Sequence, residues 1–513
     1  MIIGIDLGAR NALCAVRTVE GQIIIPNRWG NISTPSVVAY ADNTFLAGED
    51  AVKAESRYPK QTWWDLKRKI GTQWRASYEV NGKLNEAKAE EMIIPLLKIL
   101  REDAEVYLNT FVYSCVITVP AYFNSLQRFA VNSAAKEAGF SDVVRILNEP
   151  TAAVLSVGNK EGRFLVLDFG AGAADISVVE KESNAWHVLE SVETKNIGGY
   201  DFDVLFAEWI IKRAGLCGIK ENAEKTHIWN LFRLQAEKVK IALSTCESYE
   251  LLPFIELEKF KPFIIEREDL NRLIRFHLRR IVNWVKILWE AHKPDSLLLV
   301  GGSSKIPLLR QILEKEIIPT GHIGYCMEES VVIGAAIHSS TTKDEILIDV
   351  LSHDIILKYD NTCTRVFQKG ITLPASVKEY LLVSDVRENS FVLLQGDIEV
   401  QSIALDDVKL GEEIIVRISI DASGLFRIFV IRPSNKKLNQ SRTIQIINKS
   451  RSDSIQKIKE LEAKIPVLFN KLNDSQLNKL LDLISKARTQ NDDDLTLLLK
   501  NAEKEIFDLI EKN

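Results

Sequence analysis

Several features are scarce or missing in this chain, and each absence removes a class of function. The six cysteines stand at scattered positions (14, 115, 217, 246, 326 and 363) with no C-x-x-C pair, and no histidine cluster has metal-ligand spacing. A disulfide framework and a structural zinc site are therefore not expected. The formal net charge is -5, which leaves no electrostatic footprint for nucleic acid. No apolar run approaches the roughly 18 residues of a membrane span. The N-terminal MIIGIDLG has no basic n-region and is broken by Asp6, so a cytoplasmic chain is expected. Neither a Walker A sequence nor G-x-G-x-x-G occurs, so the two commonest phosphate cradles are absent.

What is present supports a large core. Hydrophobic residues are 46% and charged residues 26% of 513, a globular composition with room for roughly three domains at about 150 residues each. Residues 1–340 alternate short β-rich runs (IIGI, CVITV, FLVLDF, LLLV) with helix-length segments such as Leu231 to Ser244, which implies α/β layers. Residues 341–350 (TTKDEILIDV) are polar and then briefly apolar, suited to a linker. From 351 to about 450 the period becomes two. Val416, Ile418 and Ile420, the turn DASG, then Phe426, Ile428 and Val430 form a hairpin pattern in an antiparallel sheet. Over 451–513 the pattern is helical: Leu477, Leu480, Leu481 and Ile484 follow Asp474-Ser475, and Leu495, Leu498, Leu499, Ala502, Ile506 and Leu509 follow Asp492–Asp494. That acidic run is better read as a helix start than as a metal site.

One pattern occurs twice. IIGIDLGARNALCAV matches FLVLDFGAGAADISVV when Asp6 is laid on Asp168 and Gly8 on Gly170. A strand ending in Asp, a small-residue loop and a returning strand make a hairpin whose backbone N–H groups can approach an anion. Two such hairpins facing each other could grip a polyphosphate, with Asp6 and Asp168 holding Mg²⁺ through its waters. Singly, each D-x-G is weak, because a turn-capping Asp explains it equally well. As a pair, joined by a third strand-loop LLLVGGSSKIP (Leu297 to Pro307), they point to a nucleotide site.

Further motifs carry a resemblance: LKRKIG (Leu66 to Gly71), VITVPAYF (Val116 to Phe123), LNEPTAAV (Leu147 to Val154), GGYDFD (Gly198 to Asp203) and AEKVKIALS (Ala236 to Ser244). With IGIDLG and LVGGSSKIP they are similar to the DnaK-type, heat-shock-70 chaperones. The compact tail and PNRWGNISTPS (Pro26 to Ser36) look most like the short bacterial HscC-type branch. The resemblance implies an α/β actin-like ATPase fold, duplicated in two lobes, then an antiparallel β-sandwich for peptides and a short helical lid-like subdomain. It implies ATP/ADP, Mg²⁺ and K⁺ as ligands. Unfolded client segments, a J-domain co-chaperone and a nucleotide exchange factor would be the partners.

By position, Asp6 and Asp168 would order the Mg²⁺ shell, Lys67 would reach the γ-phosphate, and Glu149 and Asp175 would position water or K⁺. Gly8, Ala9, Arg10, Gly170, Gly172, Ala173, Gly198 and Gly199 would line the phosphates. Glu237, Lys240, Ser244, Gly301, Gly302, Ser303 and Lys305 would hold the adenosine. Charge neutralisation and alignment are what phosphoryl transfer to water demands. Each residue also has a plain reading: Lys67 as a solvated charge, Glu149 as the lead into a helix with Pro150 in its first turn, Trp63-Trp64 as packing. In the β half, ITLPA (Ile371 to Ala375) and LLQGD (Leu393 to Asp397) anchor the likeness. Ile355 and Leu357 are assigned to the core rather than to a peptide cleft, and strand-like peptide capture is the implied binding mode.

The chain departs from the family pattern where phosphate is handled. DLGTTNS is replaced by DLGARNA, DLGGGTFD by DFGAGAAD, and GGEDFD by GGYDFD. Ala9, Arg10 and Ala173 therefore replace hydroxyls, Ala171 replaces a glycine, and Tyr200 replaces an acid. A lost hydrogen bond to a charged group is worth about 1.5–3 kcal/mol, so two or three such losses would slow turnover by several powers of ten. Arg10 could compensate for the hydroxyls or block their site. Three function classes remain at this point: an ATP-driven chaperone with slow hydrolysis, an ATP-binding regulator that barely hydrolyses, and a small-molecule kinase of the same fold. The linker and β half have no place in the last. Restoring Thr at 9, 10 and 173 is expected to raise the single-turnover rate of ATP hydrolysis at least tenfold; an unchanged rate would remove the hydroxyls from the account.

Overall fold

The computed structural model describes residues 1–431 except 81, 158–160, 184, 195–196, 217–226, 254–260, 319–321, 326–328, 340–345, 360–361, 384–389 and 406–410. The helical tail expected over 451–513, and the first part of the expected linker, lie outside the described residues.

The duplication seen in the sequence is a duplication of topology. Five strands, β1 (Ile2–Leu7), β2 (Asn11–Thr18), β3 (Gly21–Ile25), β4 (Ser114–Val119) and β5 (Asp142–Asn148), lie in the order β5-β4-β1-β2-β3. Five more, β6 (Gly162–Phe169), β7 (Ala174–Glu182), β8 (Ala185–Thr194), β9 (Ser296–Val300) and β10 (Ile323–Tyr325), lie in the order β10-β9-β6-β7-β8. In both sheets the first two strands are antiparallel, and the first pairs in parallel with a strand far along the chain. Asp6 lies opposite Leu13 and Thr118, and Asp168 opposite Asp175 and Val300. Each aspartate thus stands at the end of a central strand, where the chain turns into its hairpin.

The central strands are apolar on both faces because both faces are covered. Ile3, Ile5, Ile117 and Phe140 belong to one core, and Leu165, Leu167, Ile176 and Phe202 to another. Between the sheets runs α5 (Ser330–Ser339), the last of five helices used below; the others are α1 (Ser125–Glu137), α2 (Glu149–Leu155), α3 (Gly199–Arg213) and α4 (His227–Ala242). Small residues let α5 approach closely. A Cβ on Gly334 would fall 1.7 Å from the Ala152 carbonyl oxygen, and one on Gly4 would fall 2.5 Å from Ala336 N. Any larger side chain would force α5 away from α2 or from β1.

The segment Ile346–Val350, expected as a linker, is a strand (β11) that pairs in parallel with β8 and antiparallel with Thr372–Leu373. Its apolar run has the right length to extend a sheet edge. The β half that follows contains a four-stranded and a three-stranded sheet. The expected hairpin is present, with Val416 opposite Val430, Ile418 opposite Ile428 and Ile420 opposite Phe426. Ile355 and Leu357 are buried, as their assignment to the core requires.

This half reaches the first sheet at α1 and β5. Gln395 Oε1 accepts from Ser125 N–H at 2.9 Å, Ser125 Oγ donates to Gly424 O at 2.9 Å, and Ser423 Oγ accepts from Ile146 N–H at 3.2 Å. A buried polar cluster lies beside these contacts. Arg128 donates to Asn148 Oδ1 at 2.5 Å, and Asn148 Nδ2 donates to Asp349 Oδ2 at 2.6 Å. Burial pushes the pKa of Asp349 up, while Arg128 and Arg145 pull against it. Asp349→Ala would remove the carboxylate that acts most strongly on two buried guanidiniums, leaving them Asp421, a change that costs up to about 3–5 kcal/mol. Hydrogen exchange in Phe426–Ile431 is expected to accelerate in this variant while that of Ser296–Val300 stays unchanged; equal protection in both would show that Asp349 does not hold this seat.

Candidate nucleotide and phosphate site

The two D-x-G hairpins line one cavity of about 530 Å³, a volume that suits a nucleotide. Every residue assigned from the sequence to catalysis, metal or nucleotide lines it except Gly198. Gly198 stands behind the second loop, where a Cβ would meet Ala171 O at 2.2 Å.

The floor is a charge cluster. Lys67 sits in a single 3₁₀ turn, Lys67–Lys69, flanked by the buried Leu66 and Ile70, and its ammonium pairs with Glu149. Glu149 opens α2 with Pro150 behind it, so its role as a helix lead and its place in the site coincide. Asp6 accepts a hydrogen bond from Thr118 Oγ1 at 3.0 Å. Three buried or nearly buried carboxylates, Asp6, Glu149 and Asp168, thus share one ammonium. Burial raises all three pKa values and, joined by repulsion from Glu149 and Asp6, takes Asp168 to about 8. Burial also acts against the charge on Lys67, but Glu149 and Asp6 outweigh it and its pKa rises. Lys67 stays cationic, and the solvated-charge reading does not fit a residue only 8% exposed.

The loops above are small by necessity. Gly301 has φ +80°, and a Cβ there would lie 2.6 Å from Phe169 O and 2.9 Å from Asp168 Oδ1. A Cβ on Gly199 would lie 2.4 Å from Ser303 Oγ. The carbonyls of the second loop are engaged: Gly170 O accepts from Gly199 N–H (3.0 Å) and Ser303 Oγ (2.8 Å), and Ala171 O accepts from Tyr200 N–H (2.9 Å). Oxygens that would repel an anion are therefore satisfied by protein donors. Ser36 fixes the first loop, donating from Oγ to Gly8 O (2.7 Å) and from N–H to Arg10 O (2.8 Å). An excess of buried carboxylate on the floor and a glycine-lined wall fit a metal-bound polyphosphate. Among the described residues no group of three or more His, Cys, Asp or Glu is placed to hold a metal ion directly.

The remaining side chains are tied in ways the sequence did not reveal. Lys240 Nζ is 2.6 Å from Asp203 Oδ1 and donates to Gly199 O at 2.9 Å. Burial takes Asp203 to about 6 even beside Lys240. Ser244 Oγ bonds back to Lys240 O at 3.3 Å. Arg68 spans from Asp65 (3.4 Å) to Asp201 (3.3 Å). Arg10 pairs with Glu237 at 2.6 Å over the ring of Trp64, 4.0 Å away. Asp203, Asp201, Arg68, Trp64, Thr118 and Ser36 were missed as site residues. All six lie within or beside the motifs quoted above, but their roles depend on partners distant in sequence.

Comparison with known proteins covers this whole arrangement. A family described as Hsp70 protein matches residues 2–512. The chain is 31% identical over 507 residues to the chaperone protein DnaK of Mycoplasma mobile, covering 90% of this chain and 82% of that one. It is 31% identical over 572 residues to chaperone protein dnaK of Cyanidium caldarium, covering 100% and 91%. It is 30% identical over 565 residues to chaperone protein dnaK of Gracilaria tenuistipitata var. liui, covering 96% and 90%. A match of this extent, running through both hairpins, the strand at Ile346–Val350 and the β half alike, makes the chain a member of the Hsp70 family.

Proposed function

We propose that the chain is an ATP-dependent chaperone of the Hsp70 type, with a slow ATPase in residues 1–340 that governs capture of extended apolar client segments by residues 351–450. The observation that carries this reading is the cavity floor: one cationic Lys67 among three buried carboxylates, beneath two facing hairpins. In this reading the fold of the first part is an actin-like ATPase, the β half a peptide-binding sandwich, residues 341–350 the connection, and 451–513 a short helical subdomain. ATP, ADP and K⁺ are its small ligands, and a J-domain protein and an exchange factor its partners. Among the described residues no helix is long and apolar enough to cross a membrane; the cytoplasm is the compartment this reading proposes.

The chain's own groups divide the chemistry. Lys67 presents positive charge where the terminal phosphoryl group accumulates negative charge, and Glu149 fixes its direction. Asp175 and Glu149 accept hydrogen bonds from the attacking water. Asp6 and Asp168 would hold Mg²⁺ through its waters, and the ion would supply charge neutralisation to the phosphates. Coupling to the β half is short in covalent terms. Glu149 faces Lys67, while its neighbour Asn148 bonds Asp349 on the strand that leads into that half.

A single-turnover assay, with protein in excess over labelled ATP, tests the reading. Conversion to ADP that is lost in Lys67→Ala is expected. Binding without conversion would leave a nucleotide-gated binding protein, and no binding would overturn the reading. Asp168→Asn, which removes one of three repelling buried carboxylates, is expected to abolish conversion and yet raise the melting temperature of the nucleotide-free protein by roughly 2 °C. A lower melting temperature would mean that the cluster is not under repulsion.

A further inference from the structure

Arg10 stands in the first phosphate loop, but its guanidinium reaches the opposite wall of the cleft. Nη2 is 2.6 Å from Glu237 Oε2 on α4, and the Trp64 ring lies under the guanidinium. The other terminal nitrogen, Nη1, is buried with no hydrogen-bond partner. A buried donor left unmade is costly, and this one sits in the cavity wall that Gly8, Ala9 and the Gly170–Ala173 loop complete. Glu237 does not depend on Arg10 alone, since Arg233 Nη1 lies 3.6 Å from the same Oε2. Two guanidiniums therefore converge on one carboxylate, beside a phosphate cradle that has alanine at positions 9 and 173. Removing Arg10 from Glu237 would leave that carboxylate with a cation still beside it.

Resting on the assignment of the cavity to ATP, we propose that Arg10 is an exchangeable phosphate ligand. In the free protein it is parked on Glu237; in the complex it turns its donors to the polyphosphate in place of the missing hydroxyls, and so releases Glu237 to accept from the nucleoside. No covalent step is involved. The exchange makes nucleoside and phosphate binding interdependent, because a nucleoside without phosphate meets a Glu237 that Arg10 still occupies.

Calorimetric titration of the full chain with adenosine, ADP, ATP and inorganic tripolyphosphate separates the possibilities. Arg10→Met keeps an aliphatic stem on Trp64 and removes the donors. It is expected to weaken ADP and ATP by roughly 10- to 100-fold while adenosine binds as well as before or more tightly. Equal loss for all three, or no loss for ADP, overturns the proposal. Glu237→Gln supplies an independent arm, since it unparks Arg10 without touching the phosphate loops. Tripolyphosphate is expected to bind this variant more tightly than wild type, and unchanged or weaker binding overturns the exchange. Wild-type protein that binds no adenine nucleotide overturns the ATP assignment itself, a result distinct from either failure above.

Discussion

The structure depends on keeping an ammonium and three carboxylates buried at the meeting point of two sheets. Such a cluster is expensive to desolvate, and it survives here because each member is fixed by a different element. Lys67 comes from a 3₁₀ turn, Glu149 from a helix start, and Asp6 and Asp168 from the ends of two central strands. The excess of negative charge is what gives the cavity its chemistry, since it calls for a cation and leaves Lys67 as the protein's own positive group on the floor. A tightly packed apolar frame is needed to hold such groups in place. The close approach of α5 to β1 and to α2, through Gly4, Gly334 and their alanine neighbours, supplies it.

Around that floor the cleft is closed by ion pairs that cross it. Arg10 with Glu237 and Arg68 with Asp201 each join a residue before 70 to one after 200. The loops that carry Gly8 and Gly170 have their carbonyls satisfied by Ser36, Ser303 and the first turn of α3. Above them the Arg10 guanidinium lies over Trp64.

The second polar cluster does similar work on a different joint. Arg128, Arg145, Asn148 and Asp349 are buried where the β half meets α1 and β5. Because Asn148 and Glu149 are neighbours in the chain, a shift of one carboxylate in the nucleotide cavity moves a residue that also holds Asp349. The two clusters are separate in space but share a backbone.

Much of this was legible in the chain itself. The period-two alternation around Val416 and Phe426 and the repeated strand-Asp-loop-strand pattern follow from residue type and spacing, because strand faces and hairpin turns are local properties, whereas Lys67 and Glu149 are placed in the site only by the family resemblance. The sequence also places alanine at 9 and 173 and arginine at 10 in the two loops. Only the tertiary structure decided what Arg10 touches, since its partner lies 227 residues away. The same holds for Lys240, which is occupied by Asp203, and for Ile346–Val350, which pairs as a sheet strand. A side chain's type limits which partners it can accept, but which of them it meets depends on how strands distant in sequence are brought side by side, and no local spacing carries that information.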